Sequence, residues 1–204
     1  AQVCMLGRER QLRQWTLDLA RLQPGNAVLD VGCGTGTLLL AAAERVGSSG
    51  ALRGIELSKE MAAHARNKAE AHRVPLEVVE GSADSLPYPP ASFDAIFCTL
   101  VFHHLRQTMQ ETAIREMRRV LRLGGRVVIV DWQRPSSFAR AIFSPLFLVN
   151  FLHSFGPSRP PMDVQSIESL MREIGFEDLA HCSFGAGGVV GAVVGRLASG
   201  TAII

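Results

Sequence analysis

Asp30, Gly32, Gly34 and Gly36 stand at alternate positions in the stretch Val28-Leu29-Asp30-Val31-Gly32-Cys33-Gly34-Thr35-Gly36-Thr37. Glycines so spaced turn the chain sharply and keep side chains away from backbone N–H groups that could face a ligand. A pyrophosphate-binding G-x-G-x-x-G turn would need its third glycine at position 37, which is Thr37. A carboxylate at position 30 would also repel a pyrophosphate. It suits a ligand that carries an ammonium group and no phosphate. Glu56 lies twenty residues beyond Gly36. At a strand end, a carboxylate there can accept hydrogen bonds from both hydroxyls of a ribose.

Positioning these groups requires a buried sheet. Residues 27–31 are apolar and β-branched, as a parallel strand covered on both faces should be, and 37–46 read as helix. Residues 52–55 form a second short strand ending at Glu56. Ser58 caps the next helix, Glu60 sits in its first turn, and Met61, Ala62, Ala65 and Ala69 mark its inward face. Residues 76–79 and 93–98 read as strands. Residues 108–122 read as a helix, with Ala113, Ile114, Met117, Val120 and Leu121 buried and Glu111 spaced to pair with Arg115. Arg115, Arg118, Arg119 and Arg122 read as a solvated helix face. Gly124-Gly125 stops that helix, and 126–131 is a strand ending at Asp131. Upstream, Leu12, Trp15, Leu19 and Leu22 stripe a helix over 8–22, either packed on the sheet or closing over a ligand. Downstream, Asp163 caps a helix that Gly175 ends, and 176–184 and 189–197 are strands. In such sheets ligands bind at the carboxyl ends of the strands.

The run D-V-G-C-G-T-G from Asp30 to Gly36 resembles motif I of the class I S-adenosylmethionine (AdoMet) methyltransferases. AdoMet carries an α-amino group and a sulfonium and no phosphate, as Asp30 requires. The resemblance extends over about residues 25–131. It implies a Rossmann-like three-layer α/β/α sandwich, with a mostly parallel seven-stranded sheet and an antiparallel last strand. It implies cofactor contacts from Asp30, Gly32, Cys33, Gly34 and Gly36, from Glu56 on the ribose and from Leu57 on the adenine ring. Within Glu80-Gly81-Ser82-Ala83-Asp84-Ser85, it implies that the loop at Ala83 contacts the cofactor and that Asp84 accepts from the adenine amino group. Ser92-Phe93-Asp94 matches the start of the family's fourth strand in its small-molecule branch. Thr99 and Leu100 fall beside the methionine end of the cofactor, and His103 and His104 fall in an aromatic-histidine stretch near the acceptor. Leu121-Arg122-Leu123-Gly124-Gly125 is similar to the family's L-(K/R)-P-G-G, with Leu123 in place of proline.

Methyl transfer from a sulfonium is an in-line displacement that needs alignment and exclusion of water rather than a metal. A base is needed only where the acceptor must lose a proton, and His103, His104 and Asp131 are the candidates. Adjacent histidines in a regular segment cannot both face one site, which favours His103. The general look is that of ubiquinone/menaquinone-type methyltransferases, with a small-molecule acceptor. Residues 138–155 are heavily apolar, including Phe147 and Phe151. They suit a cap over an apolar or aromatic acceptor, spanning 138–162 with the proline-rich loop, ahead of a dimer contact or a peripheral membrane contact. Two alternatives are an NAD-dependent oxidoreductase, opposed by Asp30 and Thr37, and a catalytically silent AdoMet-fold binding subunit.

Composition bounds the rest. The 204 residues fit one domain over 1–204, and 47% apolar residues supply a core. A net charge of +2 and the lack of basic stripes argue against nucleic acid. Cys4, Cys33, Cys98 and Cys182 are scattered without a C-x-x-C pair, so no zinc site is expected, and free thiols suit a reducing, cytoplasmic setting. Neither a signal-peptide pattern nor an apolar run of membrane-spanning length is evident. The chain lacks an initiating Met and is consistent with a piece of a longer protein.

Overall fold

The computed structural model describes residues 7–133, 163–185, 188 and 190–198. The expected cap at 138–162 lies outside the described residues. In chain order the elements are α1 (Glu9–Ala20), β1 (Ala27–Val31), α2 (Thr37–Val46), β2 (Ala51–Glu56), α3 (Lys59–Ala71), β3 (Leu76–Glu80), β4 (Phe93–Thr99), a 3-10 turn (Phe102–His104), α4 (Gln107–Val120), β5 (Leu121–Trp132), α5 (Val164–Glu173), β6 (Phe176–Phe184) and β7 (Val190–Leu197).

The strands form one seven-stranded sheet in the order β3-β2-β1-β4-β5-β7-β6. The first five run parallel, and β7 inserts antiparallel between β5 and β6. This is the expected Rossmann-like sandwich, with the antiparallel strand last in sequence. Strand order reverses between β1 and β4, which opens a crevice above their carboxyl ends.

Alternation along the strands sorts the core into two layers. Leu29, Val31, Ile96 and Ile129 pack with Ala113, Ile114, Met117 and Met171, on the side of α4 and α5. Val28, Phe97, Val128 and Val130 pack with Leu12, Leu17, Leu39 and Ala65, on the side of α1, α2 and α3. Phe93, Phe97 and Phe102 are fully buried. Each such side chain contributes roughly 1.5–3 kcal/mol from water exclusion, before the entropy cost of ordering it.

Three readings need correction. Helix α4 ends at Val120. Leu121 already pairs with Phe93, and the register then shifts, so Leu121–Gly125 belongs to an irregular start of β5 instead of the helix. Met61 is 45% exposed, because the inward face of α3 is made by Ala62, Ala65 and Ala69. The arginine face is solvated only in part: Arg115 and Arg122 are exposed as expected, whereas Arg118 and Arg119 are half-buried. Arg119 donates to the carbonyls of Leu86 and Tyr88 and pairs with Glu116 at 2.7 Å. Arg122 reaches Asp94 at 2.8 Å, and Asp94 also accepts from the Ala27 N–H. The Glu111–Arg115 pair forms as expected. At the far end of the sheet, buried Gln133 accepts from His181 Nε2 and donates to Ser183 Oγ and the Gly188 carbonyl, tying β5 to the β6–β7 hairpin.

Candidate active site

The turn after β1 is built as its composition requires. Gly32, Gly34 and Gly36 have φ of 74, 55 and 72°, in the left-handed region that disfavours side chains. A Cβ at Gly32 would run into the Val101 side chain, and one at Gly36 would press on Ala65 of α3. A Cβ at Gly34 would meet nothing within 4 Å. Gly34 therefore borders open space, whereas Gly36 serves helix packing.

That space is a cavity of about 200 Å³, lined by Asp30, Gly32, Cys33, Gly34, Thr35, Thr37 and Thr99, with Leu12, Arg13 and Thr16 of α1 closing one side. Asp30 is 2% exposed, and its Oδ1 has no hydrogen-bond partner among the described residues. The Thr99 hydroxyl is likewise buried without a partner. Burial, seconded by the neighbouring Glu56 carboxylate, raises the Asp30 carboxyl from 3.8 to about 7. A buried carboxylate without a donor is costly. A cation placed in the cavity would remove that cost, so the site fits a ligand bearing an ammonium group. Burial, with Asp30 and Glu56 beside it, pushes the Cys33 thiol well up, so it is an inert liner rather than a nucleophile.

Glu56 ends β2 beside this turn. Its Oε2 accepts from the Gly34 N–H at 2.8 Å and its Oε1 from the Ser58 N–H at 3.0 Å. Each carboxylate oxygen keeps a further lone pair for a ligand hydroxyl. Leu57 follows, 73% exposed at the rim. Ala83 is buried and Asp84 half-buried in the loop after β3, which the Gly81 N–H ties to the Glu56 carbonyl. Gly36, Glu56, Leu57, Ala83, Asp84 and Leu100 lie outside the cavity lining, along the same carboxyl edge of the sheet. Leu100 holds φ at 58°, and its N–H donates to the Val130 carbonyl at 2.7 Å. Such a backbone costs about 1–3 kcal/mol and occurs where surrounding structure enforces it.

The acid–base candidates meet on the other face of the sheet. His103 Nδ1 donates to Asp131 Oδ1 at 2.6 Å, and the His103 N–H donates to Asp131 Oδ2 at 3.0 Å. The Trp132 N–H also reaches Asp131 Oδ1. Asp131 is fully buried and the His103 side chain is 9% exposed. A proton fixed on Nδ1 leaves the Nε2 lone pair available as a base. His103 borders a cleft of about 770 Å³ between α4 and α5, with Gln107, Gln110, Ile167 and Leu170 on its walls. The ring of His104 lies 3.9 Å from that of His103 at an interplanar angle of 43°, so the adjacent histidines touch within the 3-10 turn. Between the two cavities runs the end of β4, with Thr99 on the Asp30 side. Buried Cys98 sits within electrostatic reach of both Asp30 and Asp131, whose charges add to burial in raising its thiol. Among the described residues no cluster of three or more metal-ligating side chains occurs, and no helix is long and apolar enough to cross a membrane.

Sequence reasoning missed Lys68. Its ammonium, on α3, donates to Thr35 Oγ1 and Thr37 Oγ1, both at 2.9 Å, and so pins the glycine turn from outside. Its place one helical turn from the inward-facing Ala65 was the available signal. Replacing Lys68 with Met is expected to weaken binding of a ligand in this cavity roughly fivefold to tenfold, since only the turn loosens. Calorimetric titration of the parent and the variant checks this.

Comparison with known proteins agrees with the geometry. A methyltransferase-domain family matches residues 28–125. The ubiquinone/menaquinone biosynthesis C-methyltransferase UbiE of Azotobacter vinelandii is 30% identical over 201 residues, covering 90% of this chain and 78% of that protein. A demethylmenaquinone methyltransferase of Bacillus licheniformis is 29% identical, covering 91% of this chain and 86% of that protein. The crystal structure of a SAM-dependent methyltransferase from Aquifex aeolicus superposes with a TM-score of 0.69 at 22% identity, over 91% of this chain and 89% of that one. A relative 30% identical across 90% of the chain settles the family: the chain belongs to the class I AdoMet-dependent methyltransferases, in the family of the ubiquinone/menaquinone biosynthesis enzymes.

Proposed function

We propose that the enzyme methylates a small aromatic, quinol-like acceptor, with His103 as the base and Asp131 fixing its tautomer. The observation that carries this is the 2.6 Å Nδ1–Oδ1 contact between a fully buried carboxylate and an imidazole that is 9% exposed at the edge of a cleft. AdoMet supplies an electrophilic methyl on a positively charged sulfur. Asp30 takes its ammonium group and Glu56 its ribose hydroxyls. Leu57 covers the adenine, the Ala83–Asp84 loop meets the adenine edge, and Thr99 and Leu100 flank the methionine end. His103 Nε2 removes the acceptor's hydroxyl proton as the ring carbon or oxygen becomes nucleophilic, and buried Asp131 stabilises the resulting imidazolium. The names of the relatives, quinone-biosynthesis methyltransferases, support the acceptor class. The described cysteines are free, which supports a reducing, cytoplasmic setting.

The test is release of S-adenosylhomocysteine with a panel of naphthoquinols and benzoquinols against amines and carboxylic acids. Turnover confined to the latter would reject the acceptor class. The apolar 138–155 segment is proposed to cap this acceptor rather than form a dimer or membrane contact. Phe147→Asp is then expected to raise the KM for the acceptor about tenfold and leave cofactor affinity unchanged. Calorimetry with S-adenosylhomocysteine beside acceptor kinetics separates this from misfolding, which would lower both.

A further inference from the structure

Gln110 reaches the cleft beside His103 from the first turn of α4. Its side-chain nitrogen donates to the Phe102 carbonyl at 3.0 Å and to the Leu105 carbonyl at 3.3 Å. Those two carbonyls bracket the 3-10 turn that carries His103. The Phe102 carbonyl also closes the turn itself, accepting from the Leu105 N–H at 3.0 Å. Both amide hydrogens of Gln110 are therefore committed to the turn. That settles the orientation of the amide, because a flipped amide would set its oxygen against two carbonyl oxygens. The oxygen, Oε1, is left over. Among the described residues no donor reaches it. Gln110 is half-buried, and it lines the same cleft of about 770 Å³ as His103.

We infer that Gln110 selects the methyl acceptor: its Oε1 receives a hydrogen bond from a group other than the hydroxyl whose proton His103 takes, while its nitrogen holds the turn on which His103 stands. The inference rests on the quinol reading above and adds to it a specificity-determining residue. An amide oxygen accepts hydrogen bonds and never donates them. A second hydroxyl on the acceptor satisfies it. An ether or carbonyl oxygen at the same point would face it lone pair to lone pair. The acceptor that fits is a ring bearing two donor groups, one for Nε2 of His103 and one for Oε1 of Gln110. Partial burial strengthens such a bond, since water competes for the oxygen less than at an open surface.

Release of S-adenosylhomocysteine by the full chain, measured without oxygen, compares kcat/KM for 1,4-dihydroxynaphthalene and for 4-methoxy-1-naphthol, in which one hydroxyl can no longer donate. The parent is expected to use the ether on the order of tenfold less well than the diol, the cost of one unmade hydrogen bond. Q110M keeps the length of the side chain and loses the oxygen, so it should use the two compounds alike. Q110E keeps an acceptor oxygen and loses both donors to the turn. Its rates should fall with both compounds while the preference for the diol stays. A Q110M that slows both compounds equally and keeps the parent's preference would overturn the inference and reduce Gln110 to a tie for the turn. A parent that uses the ether as well as the diol would overturn it without any variant. A parent that binds S-adenosylhomocysteine and methylates neither compound would overturn the quinol reading instead. Affinity for S-adenosylhomocysteine should be the same in the parent and both variants, since Gln110 does not line the donor cavity, and this shows that folded proteins are compared.

Discussion

Asp30→Asn is expected to weaken S-adenosylhomocysteine binding on the order of a hundredfold while making the unliganded protein more stable at pH 8. Both effects come from one buried carboxyl. Its Oδ1 lacks a partner among the described residues, and burial with the Glu56 carboxylate raises it to about 7. In the unfolded chain the same group ionises near 3.8. Between those two values the folded state holds a proton that the unfolded state has released. Stability therefore falls as pH climbs from about 4 to about 7, and the loss persists above that. Asparagine has the same shape and cannot ionise, so the variant escapes the loss. Its melting temperature should exceed the parent's at pH 8 and match it near pH 4.

Binding responds with the opposite sign. The ligand's ammonium group favours ionised Asp30, so affinity in the parent should rise about fivefold between pH 6 and pH 7, the change in ionised fraction for a group titrating near 7. Asp30→Asn should be flat over that interval. Above about pH 8 the ligand's own α-amino group begins to lose its proton, so the comparison belongs below it. Calorimetry in two buffers of different ionisation enthalpy would also detect a proton released on binding by the parent at pH 6.5 and none by the variant. A parent whose affinity is independent of pH across this window would separate Asp30 from recognition of the ammonium group.

The contrast between what could and could not be read from the chain follows from the range of the interactions. The Asp30–Gly36 turn is local. Its chemistry is written in consecutive residues, and the flanking strand and helix fall at 27–31 and 37–46 as expected. Ser58 and Asp163 cap their helices for the same reason, each side chain accepting from an N–H two or three residues on. The pinning of the turn by Lys68 spans more than thirty residues, and no periodicity names that partner. Arginine spacing on α4 shows which residues share a face, but not that Leu86 and Tyr88 present carbonyls to Arg119. The run Leu121–Gly125 carries a helix-stop signal. Pairing of Leu121 with Phe93 ends the helix two residues earlier than expected, a tertiary override of local propensity. His103 and Asp131 were both legible as candidates. Their union was not, because it depends on β4 lying beside β5 in a register that sets Thr99 against Val130.

That union sets the second large effect. His103→Ala is expected to lower kcat by 10²- to 10⁴-fold with a quinol acceptor, with the affinity for S-adenosylhomocysteine unchanged, since His103 does not line the donor cavity. Asp131→Asn should cost nearly as much. An amide at position 131 can still meet the His103 backbone N–H through its oxygen, but it no longer offers a carboxylate to the imidazolium formed when Nε2 takes up a proton. The double variant should be little worse than either single one, because the two residues act as a unit. A structural role for the pair makes the contrary prediction. Asp131 accepts three hydrogen bonds in a buried position, so a purely structural loss would appear as a lower melting temperature, with kcat falling only as far as the folded fraction does. Single-turnover rates at saturating cofactor, measured well below each variant's melting temperature, separate the two. Acceptors supplied already deprotonated should recover most of the rate in His103→Ala if the imidazole serves as a base. Failure of that rescue would assign the histidine to positioning alone.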